Sequence, residues 1–210
     1  MGMVIGLGGR TSGLTIVFLD IIGSDIQRKN LTFKKGDKVF SQNSAIDQIY
    51  CVVSGRVKLI RENIEGGSIV VHVAYAGESF SEASLFSDEY HCHCMADSSC
   101  ELLSFPKDSV LKFLYQNPDA MMALIKNLTG QVRDLRLLGE IKSIYSAKSR
   151  IMAFLHSKAN KSLFYYSYSL IDLAHKIGLT HETLYRNLTA LENDGKIIKH
   201  DDCIELVSVI

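Results

Sequence analysis

Residues 169–193 read SLIDLAHKIGLTHETLYRNLTALEN, and the fold turns on how this stretch divides. Ser169-Leu170-Ile171-Asp172 has the Ser-x-x-Asp form that opens a helix by satisfying its first backbone N–H groups. Leu170, Leu173, Ala174 and Ile177 then recur at helical spacing up to Gly178. Thr180 is placed to cap a second helix, which the pattern carries to about Asn193 with Leu184, Leu188 and Leu191 inward. Ala174 is small where the two helices cross, Gly178 allows a sharp turn, and Leu179 and Leu184 close the pair against Leu173 and Leu188. Asp194-Gly195 then makes a turn, and Ile197-Ile198 with Cys203-Ile204-Glu205-Leu206 forms a small hairpin. Two helices joined this way and followed by a hairpin describe a winged helix-turn-helix.

That geometry leaves His181, Glu182, Tyr185, Arg186 and Thr189 on the outward face of the second helix. Arg186 suits a bidentate contact to guanine, and Glu182 can accept from a cytosine amino group. Thr180, with the helix N-terminus behind it, suits a phosphate. Ser169 and Thr183 complete the expected DNA-contacting set. The plainer alternative is a solvated face carrying an i, i+4 ion pair between Glu182 and Arg186. Formal net charge is zero for the whole chain, and residues 147–210 carry eight Lys/Arg against seven Asp/Glu. Non-specific affinity for DNA is therefore expected to be weak, and two copies acting together would raise it.

Upstream, Asn117-Pro118-Asp119 opens a long helix, with proline tolerated at the start. Met121, Ile125, Leu128, Val132 and Leu135 follow the alternating four-three spacing of a coiled-coil seam, with Lys126, Arg133, Asp134 and Arg136 off it. Gly139 shifts the pattern, and Leu138, Ile141 and Tyr145 continue it on a rotated face. The seam predicts a homodimer; a helix packed on its own barrel is the alternative. A further short helix is expected over Arg150 to Ala159. From Leu31 to Phe105, short β-branched runs such as Val57-Lys58-Leu59-Ile60 and Ser68-Ile69-Val70-Val71-His72-Val73 are separated by glycine turns, as in an antiparallel meander or barrel. The class is α+β, with a β-roll and its leading segment over 1–116, a dimerisation helix over 117–146 and the winged unit over 147–210.

The 210 residues suit two small domains, and 47% hydrophobic residues suffice for real cores. The five cysteines, Cys51, Cys92, Cys94, Cys100 and Cys203, are odd in number and show no spaced framework, so free thiols in a reducing cytoplasm are expected. Met1 to Leu19 is apolar and glycine-rich but lacks a basic start and a small-residue cleavage site, and Asp20 interrupts it. Neither a signal peptide nor a membrane span is expected.

These pieces, in this order, resemble the Crp/Fnr family of bacterial transcription regulators. The resemblance runs from about Leu31 to Leu206. It rests on Lys35-Gly36-Asp37, on Ser54-Gly55-Arg56-Val57-Lys58-Leu59, on residues 77–86 (GESFSEASLF), on Asn117-Pro118-Asp119, and on residues 179–186 (LTHETLYR). It implies a cyclic-nucleotide-binding-like β-roll, a parallel dimer helix, a palindromic double-stranded DNA operator and RNA polymerase as a partner. It also implies that Glu182 and Arg186 hold base-reading positions, while His181 departs from the arginine of some members.

The effector pocket departs further. Members that bind cyclic AMP use a glycine, a glutamate, an arginine and a serine on the phosphate. Here Glu82 matches the glutamate, Ser81 replaces the glycine, Tyr90 stands at the arginine and His91 at the serine, with Ala83 beside them. Leu135 and Arg136 occupy the dimer-helix positions that are polar where those members meet the purine. Without the arginine a cyclic phosphate loses its charge-assisted partner, so an effector other than cyclic AMP, of unknown identity, is expected and no fixed cofactor is implied.

His91-Cys92-His93-Cys94 could bind haem or a metal, or sense redox state. On a strand, however, the two histidines share one face and the two cysteines the other, so one four-ligand site is not expected. Haem-binding relatives carry their ligands where this chain has Ser81 and Ala83, and iron–sulfur relatives need cysteines that are missing before Cys51. His-x-His in a β-barrel is similar to cupin metalloenzymes, but Asp97 and Glu101 do not fit their spacing, and Gly6, Gly8 and Gly9 are too close for a dinucleotide fingerprint. No enzyme activity is expected.

Overall fold

The computed structural model describes residues 18–22, 26–64, 66–166 and 169–207. The expectation for the glycine-rich start falls almost wholly on residues 1–17, outside the described residues. The chain divides into two compact units, one built on Ile16–Asn127 and the other on Leu128–Ile210.

The first unit begins with a short helix α1 (Phe18–Ile22), followed by β1 (Lys29–Phe33), β2 (Lys38–Phe40), β3 (Gln48–Ser54), β4 (Arg56–Glu62) and β5 (Ser68–Tyr75). A 3-10 turn at Glu82–Ser84 precedes β6 (His93–Ala96) and β7 (Cys100–Pro106), and α2 (Lys107–Gln116) follows. The strands form two antiparallel sheets, ordered β1-β7-β3 and β2-β6-β4-β5. The expected β-roll is this pair of sheets. Its interior takes Ile49, Cys51 and Val52 from β3, Val57 from β4, and Leu102 and Phe105 from β7. Gly55, between β3 and β4, has φ +76°, and a Cβ there would stand 2.2 Å from the Ser99 carbonyl oxygen, so only glycine fits this corner. Helix α2 was not anticipated; its Val110 and Leu114 are buried.

The long helix α3 (Pro118–Ser143) starts at the proline and runs unbroken through Gly130 and Gly139. The second unit continues with α4 (Ala147–Lys158), β8 (Leu163–Tyr165), α5 (Leu170–Lys176), α6 (His181–Asn193), β9 (Ile197–Lys199) and β10 (Cys203–Leu206). Helix α4 starts earlier than Arg150, because the Ser146 hydroxyl accepts the Ser149 N–H and caps it. The wing is a three-stranded sheet, β8-β10-β9, rather than a hairpin alone. The added strand enters through a tight turn in which Lys161 and Ser162 both take positive φ, 48° and 67°, without a glycine to announce it. Asn160 and Leu163 close that turn by exchanging both backbone hydrogen bonds. The core joins Phe154 and Leu155 of α4, Leu173 and Ala174 of α5, Leu184 and Leu188 of α6, and Ile204 of β10.

Candidate nucleic-acid interface

Both expected caps form. The Ser169 hydroxyl accepts the Asp172 N–H at 3.2 Å and donates to the Asp172 carboxylate at 2.6 Å. The Thr180 hydroxyl accepts the Thr183 N–H at 3.1 Å and donates to the Thr183 hydroxyl at 2.9 Å. These two side chains are therefore occupied in starting α5 and α6. Between the helices, Gly178 has φ +68°, the left-handed conformation that ends a helix most readily at glycine.

Leu184, Leu188 and Leu191 point inward and are buried, which turns the opposite side of α6 out. His181, Glu182, Tyr185, Arg186 and Thr189 are all exposed, and Thr183 is half-buried. The Glu182–Arg186 ion pair of the plainer alternative does not form; among the described residues both side chains are free to meet a ligand. The arrangement offers one cation, one carboxylate and an amphipathic ring along a single rigid helix. That is the donor, acceptor and apolar repertoire that base edges in a major groove require.

Three residues outside the anticipated set hold this face. Lys199 of β9 lies over the Tyr185 ring, its Nζ 5.9 Å from the ring centroid. Glu192 of α6 pairs with Lys199 Nζ at 2.7 Å and also accepts its backbone N–H at 3.2 Å. Hydrogen bonding to Lys199 holds the Glu192 carboxyl below the ordinary glutamate range. Arg150 of α4 donates to the Ile144 carbonyl from Nε at 3.1 Å and Nη2 at 2.7 Å, and to Gly178 from Nη1 at 3.0 Å. Lys199 stands where strand alternation alone could have aimed it at α6, but nothing in the sequence marks Arg150 as a ligand for carbonyl oxygens.

The candidate pocket residues of the roll differ in burial and in what they contact. Ser81 is buried, and its hydroxyl accepts the Tyr50 N–H at 2.8 Å. Tyr90 is buried with its ring stacked on Phe40 at a centroid distance of 3.8 Å, and its hydroxyl donates to the Gln48 carbonyl at 2.7 Å. Phe40 also stacks with Tyr50 and Phe80, so four aromatic rings fill this part of the interior. Burial, aided by the Asp47 carboxylate, pushes the Tyr50 phenol up to about 12. Ala83 and His91 are exposed, while Glu82 is half-buried. On α3, Leu135 and Arg136 are exposed.

The expected seam is exposed at three of its five positions. Ile125, Val132 and Leu135 expose 45%, 46% and 68% of their surface, and Met121 and Leu128 are half-buried. The His-Cys-His-Cys run is a strand only from His93 onward, with His91 and Cys92 in the bend that precedes β6. Cys92 and Cys94 are buried and His91 is exposed. His93 accepts the Gln42 N–H on Nδ1 at 3.1 Å and faces Glu62 through Nε2 at 3.4 Å. Burial raises the Cys51, Cys92, Cys94 and Cys100 thiols above their ordinary range. Among the described residues, no three His, Cys, Asp or Glu side chains are placed to hold a metal ion, and no helix is long and apolar enough to cross a membrane.

Residues 30–117 match the cyclic nucleotide-binding domain family. The chain is 26% identical to the Cyclic AMP receptor protein of Thermus thermophilus over 88% of its own length and 86% of that protein. It is 27% identical to the Global nitrogen regulator of a Nostoc species over 59% of its length, and spans 57% of that relative. Among solved structures, FixK2 from Bradyrhizobium japonicum superposes with a TM-score of 0.64 at 18% identity, covering 87% of this chain and 94% of that one. At that identity the likeness is one of fold.

Proposed function

We propose, from its similarity to Crp/Fnr-type regulators, that the chain is a dimeric, sequence-specific DNA-binding transcription regulator of the cytoplasm, reading a palindromic operator through α6. The observation that carries this reading is the exposed α6 face, with Glu182 and Arg186 unspent and the helix fixed by its Thr180 cap and buried leucines. The partly exposed seam on α3 supports a parallel pair of helices as the dimer contact. Two recognition helices related by a two-fold axis would then enter successive major grooves. RNA polymerase is the further partner that the family resemblance implies.

The effector of this reading is a small molecule other than cyclic AMP. By the family resemblance Tyr90 holds the position of the phosphate-binding arginine, and its ring is stacked on Phe40 while the Ser81 hydroxyl accepts a backbone N–H of β3. A cyclic phosphate would meet a phenol engaged with Gln48 instead of a guanidinium. Burial raises the thiols of Cys51 and Cys94, which disfavours the reactive thiolate form.

The test is selection of full-length protein on a randomised duplex pool, followed by fluorescence anisotropy with and without cyclic AMP, haem and a mild oxidant. The expected result is a palindrome with half-site centres about one helical turn apart, unaffected by cyclic AMP. Failure to enrich any duplex under any condition would overturn the reading.

A further inference from the structure

We propose that Tyr185 reads thymine, by setting its ring against the C5-methyl group in the major groove, and that the wing holds it in the pose to do so through Lys199 and Glu192. This rests on the reading of α6 as the DNA-contacting helix and names what one of its residues recognises.

Tyr185 is the one large ring on an otherwise polar outward face, and 57% of its surface is exposed. An aromatic ring left that open in the free protein nonetheless has neighbours on two sides. The His181 ring, one turn earlier on α6, lies 6.1 Å away centroid to centroid with the planes 41° apart. Lys199 reaches over from β9 with its Nζ 5.9 Å from the ring centroid. The ring is thus flanked by its own helix and by the wing, and its outer edge and hydroxyl are left to a ligand. Among the described residues no group hydrogen-bonds that hydroxyl.

Lys199 is itself held. Glu192 takes its ammonium at 2.7 Å and its backbone N–H at 3.2 Å, gripping the residue at both ends. Glu192 lies seven residues beyond Tyr185 on α6, two helical turns along nearly the same face. A lysine whose charge is answered inside the unit is a poor phosphate anchor. Its contribution is to restrict the ring beside it, so Lys199 and Glu192 are positioning residues and Tyr185 is the reader.

Thymine is the base this arrangement fits. Its methyl is the main apolar group that the major groove presents, and apolar side chains contact it there. A ring with neighbours on two sides in the free protein can offer such a contact at reduced cost in side-chain entropy. Glu182 and Arg186, on either side of Tyr185 in sequence, supply the polar contacts that set register.

The experiment takes the duplex enriched by the full-length wild-type chain and replaces each thymine in turn by deoxyuridine, which removes the methyl and leaves the hydrogen-bonding edge unchanged. Anisotropy titrations are expected to find one position per half-site where the replacement weakens binding about fourfold, the worth of one buried methyl group. At that position Tyr185→Ser is expected to bind thymine and deoxyuridine duplexes alike, and Tyr185→Phe to keep the preference. Lys199→Met, which keeps the stem and drops the charge, and Glu192→Gln are each expected to shrink the ratio toward one, and Lys199→Arg to keep it. Thermal melts of each variant separate a lost pose from a lost fold. The proposal is overturned if every deoxyuridine duplex binds the wild type as tightly as the parent, or if Tyr185→Ser preserves the ratio. Its positioning part is overturned if folded Lys199→Met and Glu192→Gln proteins both keep the full preference. If no duplex is enriched at all, the DNA-binding reading itself falls, a failure distinct from a bound duplex that ignores the methyl.

Discussion

The two units place their aromatic residues differently. In the roll, Phe40, Tyr50, Phe80 and Tyr90 expose 8%, 7%, 5% and 2% of their surface and stack into one buried cluster. In the winged unit, His181 and Tyr185 stand outside on α6, and the only partners flanking Tyr185 in the described contacts are a ring on its own helix and a lysine of the wing. The same residue types thus provide packing in one unit and a contact surface in the other. What decides between them is whether the chain offers partners on all sides or leaves one side to something else.

The largest expected effect lies on the packed side. Phe40→Ala removes the ring on which Tyr90 stacks and should destabilise the roll by about 3–5 kcal/mol, read by urea unfolding with tyrosine fluorescence. A loss well under 1 kcal/mol would mean that the aromatic cluster is loosely packed, and the contrast would fail. Next is the exposed side, where Arg186→Ala should cost about 1–3 kcal/mol of specific binding with an unchanged melt. Retained operator preference would remove α6 as the reader. A smaller effect is expected at the cap. Thr180→Ala should lower the stability of the winged unit by about 1 kcal/mol, with Thr180→Ser close to wild type in the same melt.

The smallest effect concerns acid. Glu192 and Asp194 have carboxyls held below their ordinary range by hydrogen bonds to Lys199 and Lys148. A depressed folded value stabilises above the unfolded value, and that stabilisation is lost as pH falls through the folded one. Both groups lie in the winged unit, so a Lys148→Met, Lys199→Met protein should show less of this acid-linked loss in melting temperature than the wild type below the ordinary carboxylate range. Equal acid sensitivity in the two proteins would show that these surface pairs contribute nothing measurable, as many do.

The winged unit was the more legible of the two from sequence. Its caps, turn and inward leucines are local signals, and α6 runs from His181 to Asn193 as the periodicity indicates. The strand β8 escaped notice because its turn uses Lys161 and Ser162 at positive φ, which no glycine or proline marks. In the roll, the sequence reads as one strand from His91 to Cys94, whereas β6 begins at His93 and the first two residues lie in a bend. The stacking of Phe40 on Tyr90 was not legible, because their contact joins residues fifty positions apart and only the closed sheets bring them together. The support of Tyr185 by Lys199 was hidden for the same reason, since it needs the wing folded back on α6.

One side chain links two separate stretches of backbone in the winged unit. Arg150 holds the Ile144 carbonyl with two N–H groups and the Gly178 carbonyl with a third. The planar guanidinium cannot swivel between these acceptors without breaking a bond, as a lysine could. It ties the segment that leaves α3 to the turn that aims α6. Neither the Ile144 carbonyl nor the Gly178 carbonyl can move away from this one side chain without losing a hydrogen bond.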